Sequence, residues 1–144
     1  FASGLLFGLG SLFFLFFNGL MIGAVAGHLT QIGSGQTFWS FVIGHGAFEL
    51  TAITLAGAAG LKLGWALLAP GRWPRSEALR LAARQSVQLV AGAILLLLLA
   101  AFVEAYWSSM TSIGSNIKFA VGGGLWLLLA SYFALAGRGR HAPD

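Results

Sequence analysis

The chain contains no cysteine. That excludes disulfide staples and thiolate metal sites, and it leaves the compartment open. Charge is nearly as scarce: Asp, Glu, Lys and Arg make up 8% of 144 residues, against about a quarter in an ordinary soluble domain. So few charges cannot cover a water-facing surface. With 58% hydrophobic residues, the composition specifies an integral membrane protein. The lone aspartate, Asp144, is the terminal residue, which leaves no Ser-His-Asp triad. No serine sits in a nucleophile elbow, and "VGGGLW" lacks the spacing of a nucleotide fingerprint. These gaps weigh against conventional soluble-enzyme chemistry. No basic n-region precedes a small-residue cleavage site, so no signal peptide is recognised. The chain opens at Phe1, already within a hydrophobic segment, and is expected to lack an upstream part.

What is abundant is apolar sequence in long runs. Four segments, near 1–27, 39–63, 87–106 and 117–136, each approach or exceed the ~20 residues a helix needs to cross a ~30 Å hydrocarbon core. Lipid cannot satisfy backbone polar groups, so each segment should be helical, and the alternation of barrel strands is missing. The expected fold is all-α: a polytopic bundle of about four spans in one membrane domain, with a short amphipathic cytoplasmic helix. That helix is read in "PGRWPRSEALRLAARQSVQL". Pro70 and Pro74 stop the second span, Ser76 is the expected N-cap, and Glu77, Arg80, Arg84 and Gln88 form one polar stripe running into the third span.

The net charge of +4 could suggest a nucleic acid, but its placement argues against one. Arg72, Arg75, Arg80 and Arg84 crowd one connection, Arg138 and Arg140 lie in the tail, and the connections at 28–37 and 107–116 hold neither Lys nor Arg. Basic residues bunched beside apolar runs report membrane orientation. The positive-inside rule places the arginine loop and the C-terminus in the cytoplasm and the two neutral loops outside. Trp39, Trp65, Tyr106 and Trp107 fall near the expected interfaces, and the arginines could meet anionic headgroups, the leading expectation, or a cytosolic partner.

Small residues recur at helical spacing. Gly19, Gly23 and Gly27 form one row, Ala56, Gly60 and Gly64 a second, and Ala120, Gly124 and Ser131 a third. Such rows let helix backbones approach closely, within a protomer or across a dimer. The Asn18-Gly19 pair offers an alternative, a break in the first helix.

Four polar residues then stand out by depth. Counting inward from Trp39 at ~1.5 Å per residue, His45 lies roughly 9 Å and Glu49 roughly 15 Å below the outer interface. Glu104 is about 4–5 Å from Trp107, and Asn18 about 15 Å from His28. His45 and Glu49 are i,i+4 and share a side. The expectation is a buried cluster of Asn18, His45, Glu49 and Glu104 in the outer half of the membrane, because an unpaired carboxylate there must neutralise or find a partner. Such a cluster could tie helices together, relay protons, or hold a polar group of a lipid or cell-wall precursor. His45, Glu49 and Glu104 could also ligate a divalent metal such as zinc, although no H-E-x-x-H is present. His28, near the outer interface, could join any of these, with a solvated loop position the leading expectation, and His141 belongs to the basic tail.

The stretches "FGLGSLFFLFFNGLMIGAVAG", "GHGAFELTAITLAGAAGLKLGWALLAPG" and "AFVEAYWS" resemble the stage II sporulation protein M family of bacterial membrane proteins. The likeness covers nearly the whole chain. Its most specific parts are Asn18-Gly19, the stretch from His45-Gly46 to Glu49-Leu50, the Ala56 to Gly60 run, and Glu104 followed by an aromatic. The resemblance implies a polytopic helical protein with at least one further hydrophobic segment upstream. The family's namesake acts in engulfment during spore formation, holding two extracytoplasmic peptidoglycan-degrading enzymes in one membrane machine. Relatives occur widely in organisms that do not sporulate, and the resemblance assigns no catalytic residue. The leading expectation is therefore a membrane scaffold, dimeric through small-residue faces, that organises envelope proteins such as cell-wall enzymes. The alternatives are a transporter or an intramembrane metal protein, hydrolytic or not, using the same cluster, and a lipid-binding module.

Overall fold

A computed structural model of the chain describes residues 1–136, so Arg138, Arg140, His141 and Asp144 lie outside the described residues. Four long helices follow one another: α1 (Leu9–Gln31), α2 (Gly35–Leu68), α3 (Arg75–Val103) and α4 (Ser115–Leu135). A 3₁₀ turn (Ala2–Leu5) precedes α1, and a single π turn (Glu104–Ser108) prolongs α3. Each long helix is apolar and long enough to cross a membrane. No strand occurs among the described residues.

Apolar attraction cannot choose helix partners in lipid, because the tails are as oily as leucine. Close backbone approach chooses them instead. α2 is the richest in buried Gly and Ala, and it is the hub: α1, α3 and α4 all pack on it. Its glycines admit close neighbours. A Cβ on Gly64 would collide with the backbone of Gly8, one on Gly60 with the Ser11 hydroxyl, and one on Gly57 with Leu15 at 2.7 Å. On the other side, Ser86 of α3 donates a hydrogen bond to the Ala59 carbonyl at 3.3 Å. α4 presents Gly122, whose absent Cβ would meet Ile43 at 2.7 Å.

The first segment is not one helix over 1–27. Phe7 (φ 53°) and Gly8 (φ 84°) turn the chain between the 3₁₀ turn and α1. The break sits where Gly8 meets Gly64, since the turn must fold back onto α2. Asn18-Gly19 breaks nothing: it lies inside α1, with Asn18 Nδ2 donating to the Phe14 carbonyl at 2.7 Å.

The first connection is far shorter than 28–37. α1 continues through Gln31 and closes with Gly33 left-handed (φ 81°), Ser34 N–H bonding Leu29 C=O and Gly33 N–H bonding Thr30 C=O. This is a Schellman closure, which only a residue tolerant of positive φ completes cheaply. At the opposite end α3 begins at Arg75 with Pro74 as its cap, so Ser76 lies inside the first turn and caps nothing. The amphipathic segment is the start of α3 itself. Glu77, Arg80, Arg84 and Gln88 are exposed there, while Ala78, Ala82 and Ser86 face α2. Arg72 and Arg75 are likewise exposed. At 34 residues α2 is about 51 Å long, well beyond a ~30 Å core. The α2–α3 connection forms the arginine end of the bundle, and the other two connections form the neutral-loop end.

Candidate functional site

The expected four-residue cluster does not assemble, and each member departs for a geometric reason. Only His45 is buried, at 5% exposure. Glu49, one turn on, is exposed at the lip of a ~270 Å³ groove between α1 and α2 that His45 also lines. A step of i+4 rotates about 40° round a helix, enough to carry the carboxylate past the packed face. The two side chains share a wall and make no hydrogen bond to each other among the described residues.

Glu104 is exposed as well. It opens the π turn, where Ser109 N–H reaches the Glu104 carbonyl five residues back instead of four. The wider turn brings Ser108, not Glu104, to face α2. Asn18 sits in a separate cleft beside Ile53 and Ala56. The Ser11–Gly60 and Leu15–Gly57 contacts place α1 so that Asn18 lies about two turns beyond His45. Consistent with this, no group of three or more His, Cys, Asp or Glu able to hold a metal occurs among the described residues. The proposed His45, Glu49 and Glu104 ligand set is not brought together.

A different polar node occupies the neutral-loop end. His45 Nδ1 lies 3.1 Å from the Ser108 hydroxyl, both residues being buried. Lys118 Nζ donates to the Ser108 carbonyl at 2.7 Å. Lys118 is 8% exposed, so three helical elements (α2, the π turn and α4) meet at Ser108. Phe41 packs edge-on against the His45 ring, with centroids 5.1 Å apart. The Trp107 indole N–H is buried beside the node without a hydrogen-bond partner among the described residues.

Above the node opens a cleft of about 500 Å³ lined by Thr37, Ser40, Ser108, Thr111, Ser115 and Lys118, among others. Its wall combines hydroxyl-bearing residues and one amine with the apolar side chains of Phe41 and Ile113. Ser40 Oγ and Ser109 Oγ are engaged with the carbonyls of Thr37 and Ala105. The arrangement can accept an electron-rich group.

Sequence reasoning missed Ser108, Lys118 and Gly122. A signal for Lys118 was present, because it is the one Lys or Arg near either neutral loop. Of the glycines singled out for packing, Gly60 and Gly64 lie against Ser11 and Gly8. Among the described residues, Gly19, Gly23, Gly27 and Gly124 have nothing within 4 Å of an added Cβ. On α4 the buried residues are Lys118, Gly122 and Leu129. Ala120, Gly124 and Ser131 keep the same spacing but stand two residues further on, about 200° round the helix, and are exposed.

No curated protein and no solved structure matches the chain. The family model for Stage II sporulation protein M matches residues 1–109, which span α1, α2, α3 and the π turn carrying Ser108. A multi-pass helical membrane protein whose first 109 residues meet that description is a member of the Stage II sporulation protein M family.

Proposed function

We propose that the protein is an integral membrane scaffold that self-associates and organises partner proteins at the cell envelope. The observation that carries this reading is the Gly19, Gly23 and Gly27 row on α1, which no part of the described chain covers. Rows of this spacing let a second helix approach to backbone distance in lipid, where van der Waals contact is the main attraction. Here the row lies on a helix whose spanning window is only 11% buried, against 39% for the hub. Family membership supports the same role. The arginine loop is proposed to face the cytoplasm, which leaves the neutral-loop end for extracytoplasmic partners such as cell-wall enzymes.

The test compares two variants in native membranes. Gly19, Gly23 and Gly27 together changed to Leu should leave insertion intact and reduce recovery of a differently tagged second copy several-fold. Glu49→Gln, which keeps the hydrogen-bonding shape, should recover it normally. Undiminished recovery after the triple change would refute the scaffold face.

A further inference from the structure

We propose that the cleft at the neutral-loop end is a phosphate-binding site, suited to the headgroup of an anionic lipid. The first support is Lys118. A lysine amine has three donors, and among the described residues Lys118 uses one, toward the Ser108 carbonyl. A basic side chain 92% withdrawn from the surface is costly to hold there unless something negative answers it. Its own element offers no acid. From the neighbouring elements, His45 lies behind Ser108, and Glu104, on the π turn, is exposed and does not line the cleft.

The second support is the wall. Thr37, Thr111 and Ser115 line the space together with Phe41 and Ile113, and their hydroxyls make no hydrogen bond within the described chain. They are free to donate. α4 begins here without a side-chain cap, and Ile117 and Lys118 N–H already bond the Gly114 carbonyl. Among the described residues, the N–H groups of Ser115 and Asn116 are the unused ones of this helix start, whose dipole favours an anion. Charge, hydroxyls and helix start converge on a volume of about 500 Å³, ample for a phosphodiester.

Depth selects the lipid form. Lys118 is three residues into α4, about 5 Å from its start, the level at which headgroups lie beside a spanning helix. The His45–Ser108 contact fixes the floor, so that the Ser108 carbonyl holds Lys118 in place rather than letting it extend to water. This assignment is independent of the scaffold reading.

The experiment uses the full chain in nanodiscs of phosphatidylcholine, alone or mixed with phosphatidylglycerol, with retained lipid counted by native mass spectrometry. Inorganic phosphate is titrated separately against thermal unfolding. Wild type should keep phosphatidylglycerol in preference to phosphatidylcholine, and Lys118→Gln should weaken that retention about tenfold, the loss of one charge-assisted contact. Thr111→Val with Ser115→Ala leaves Lys118 and the node untouched and should weaken it about threefold, so the result does not hang on one variant folding. Stabilisation by inorganic phosphate without retention of phosphatidylglycerol, lost in Lys118→Gln, would support phosphate recognition with a free solute as the source. Retention that ignores lipid charge together with no response to phosphate would overturn the proposal, as would equal binding by folded Lys118→Gln.

Discussion

His45 and Ser108 meet 3.1 Å apart although 63 residues separate them, and theirs is the buried side-chain contact that ties α2 to the end of α3. A double-mutant cycle with His45→Phe and Ser108→Ala should return a coupling of about 0.5–2 kcal/mol, in the range found for polar contacts between membrane helices. The readout is unfolding in bicelles followed by tryptophan fluorescence. Additive losses would mean the contact is not formed in the bilayer.

Two glycines of equal sequence appearance should behave oppositely. Gly64→Ala places a Cβ against the Gly8 backbone and should destabilise the fold by about 1–3 kcal/mol. Gly23→Ala meets open space within the protomer and, measured at a detergent dilution that keeps the chain monomeric, should be neutral or stabilising by up to about 1 kcal/mol, because alanine favours the helix. Equal effects in an unfolding titration would contradict the α1–α2 packing.

Gly33 closes α1 at φ 81°. Gly33→Ala should cost about 1–2 kcal/mol through left-handed backbone strain alone, since an added Cβ there touches nothing. The check is thermal unfolding beside Gly124→Ala, an uncrowded helical glycine outside the α1 row that is expected to gain slightly.

The absence of native cysteine makes orientation directly measurable. Thr111→Cys should react with a membrane-impermeant maleimide in intact cells, and Trp73→Cys only after permeabilisation. The reverse pattern would invert the proposed topology. Neutralising Arg72, Arg75, Arg80 and Arg84 together should produce a mixed population, because this cluster supplies most of the orienting charge.

Much of the architecture was readable in one dimension, and the misreadings share a cause. The spans followed from run length, because a backbone in lipid has no alternative to the helix. Helix ends did not: Pro74 displaced Ser76 as the cap, and Gly33 shortened a ten-residue connection to three residues between Gln31 and Gly35. The expected polar cluster rests on depth along straight α-helices. One π turn at Glu104, and the offset that pairs Ser11 with Gly60, were enough to scatter Glu104 and Asn18 from it.

Composition and periodicity thus sufficed for the membrane class, the four helices and the stripe of exposed arginines. These depend on each residue's own affinity for lipid or water, a property that needs no neighbour. Which small residues touch, which carboxylates stay uncovered and why Ser108 and Lys118 join His45 depend on rotation and offset between helices. Those are settled by steric fit along α2, where a shift of one residue swings a side chain about 100° and replaces a buried partner with open lipid.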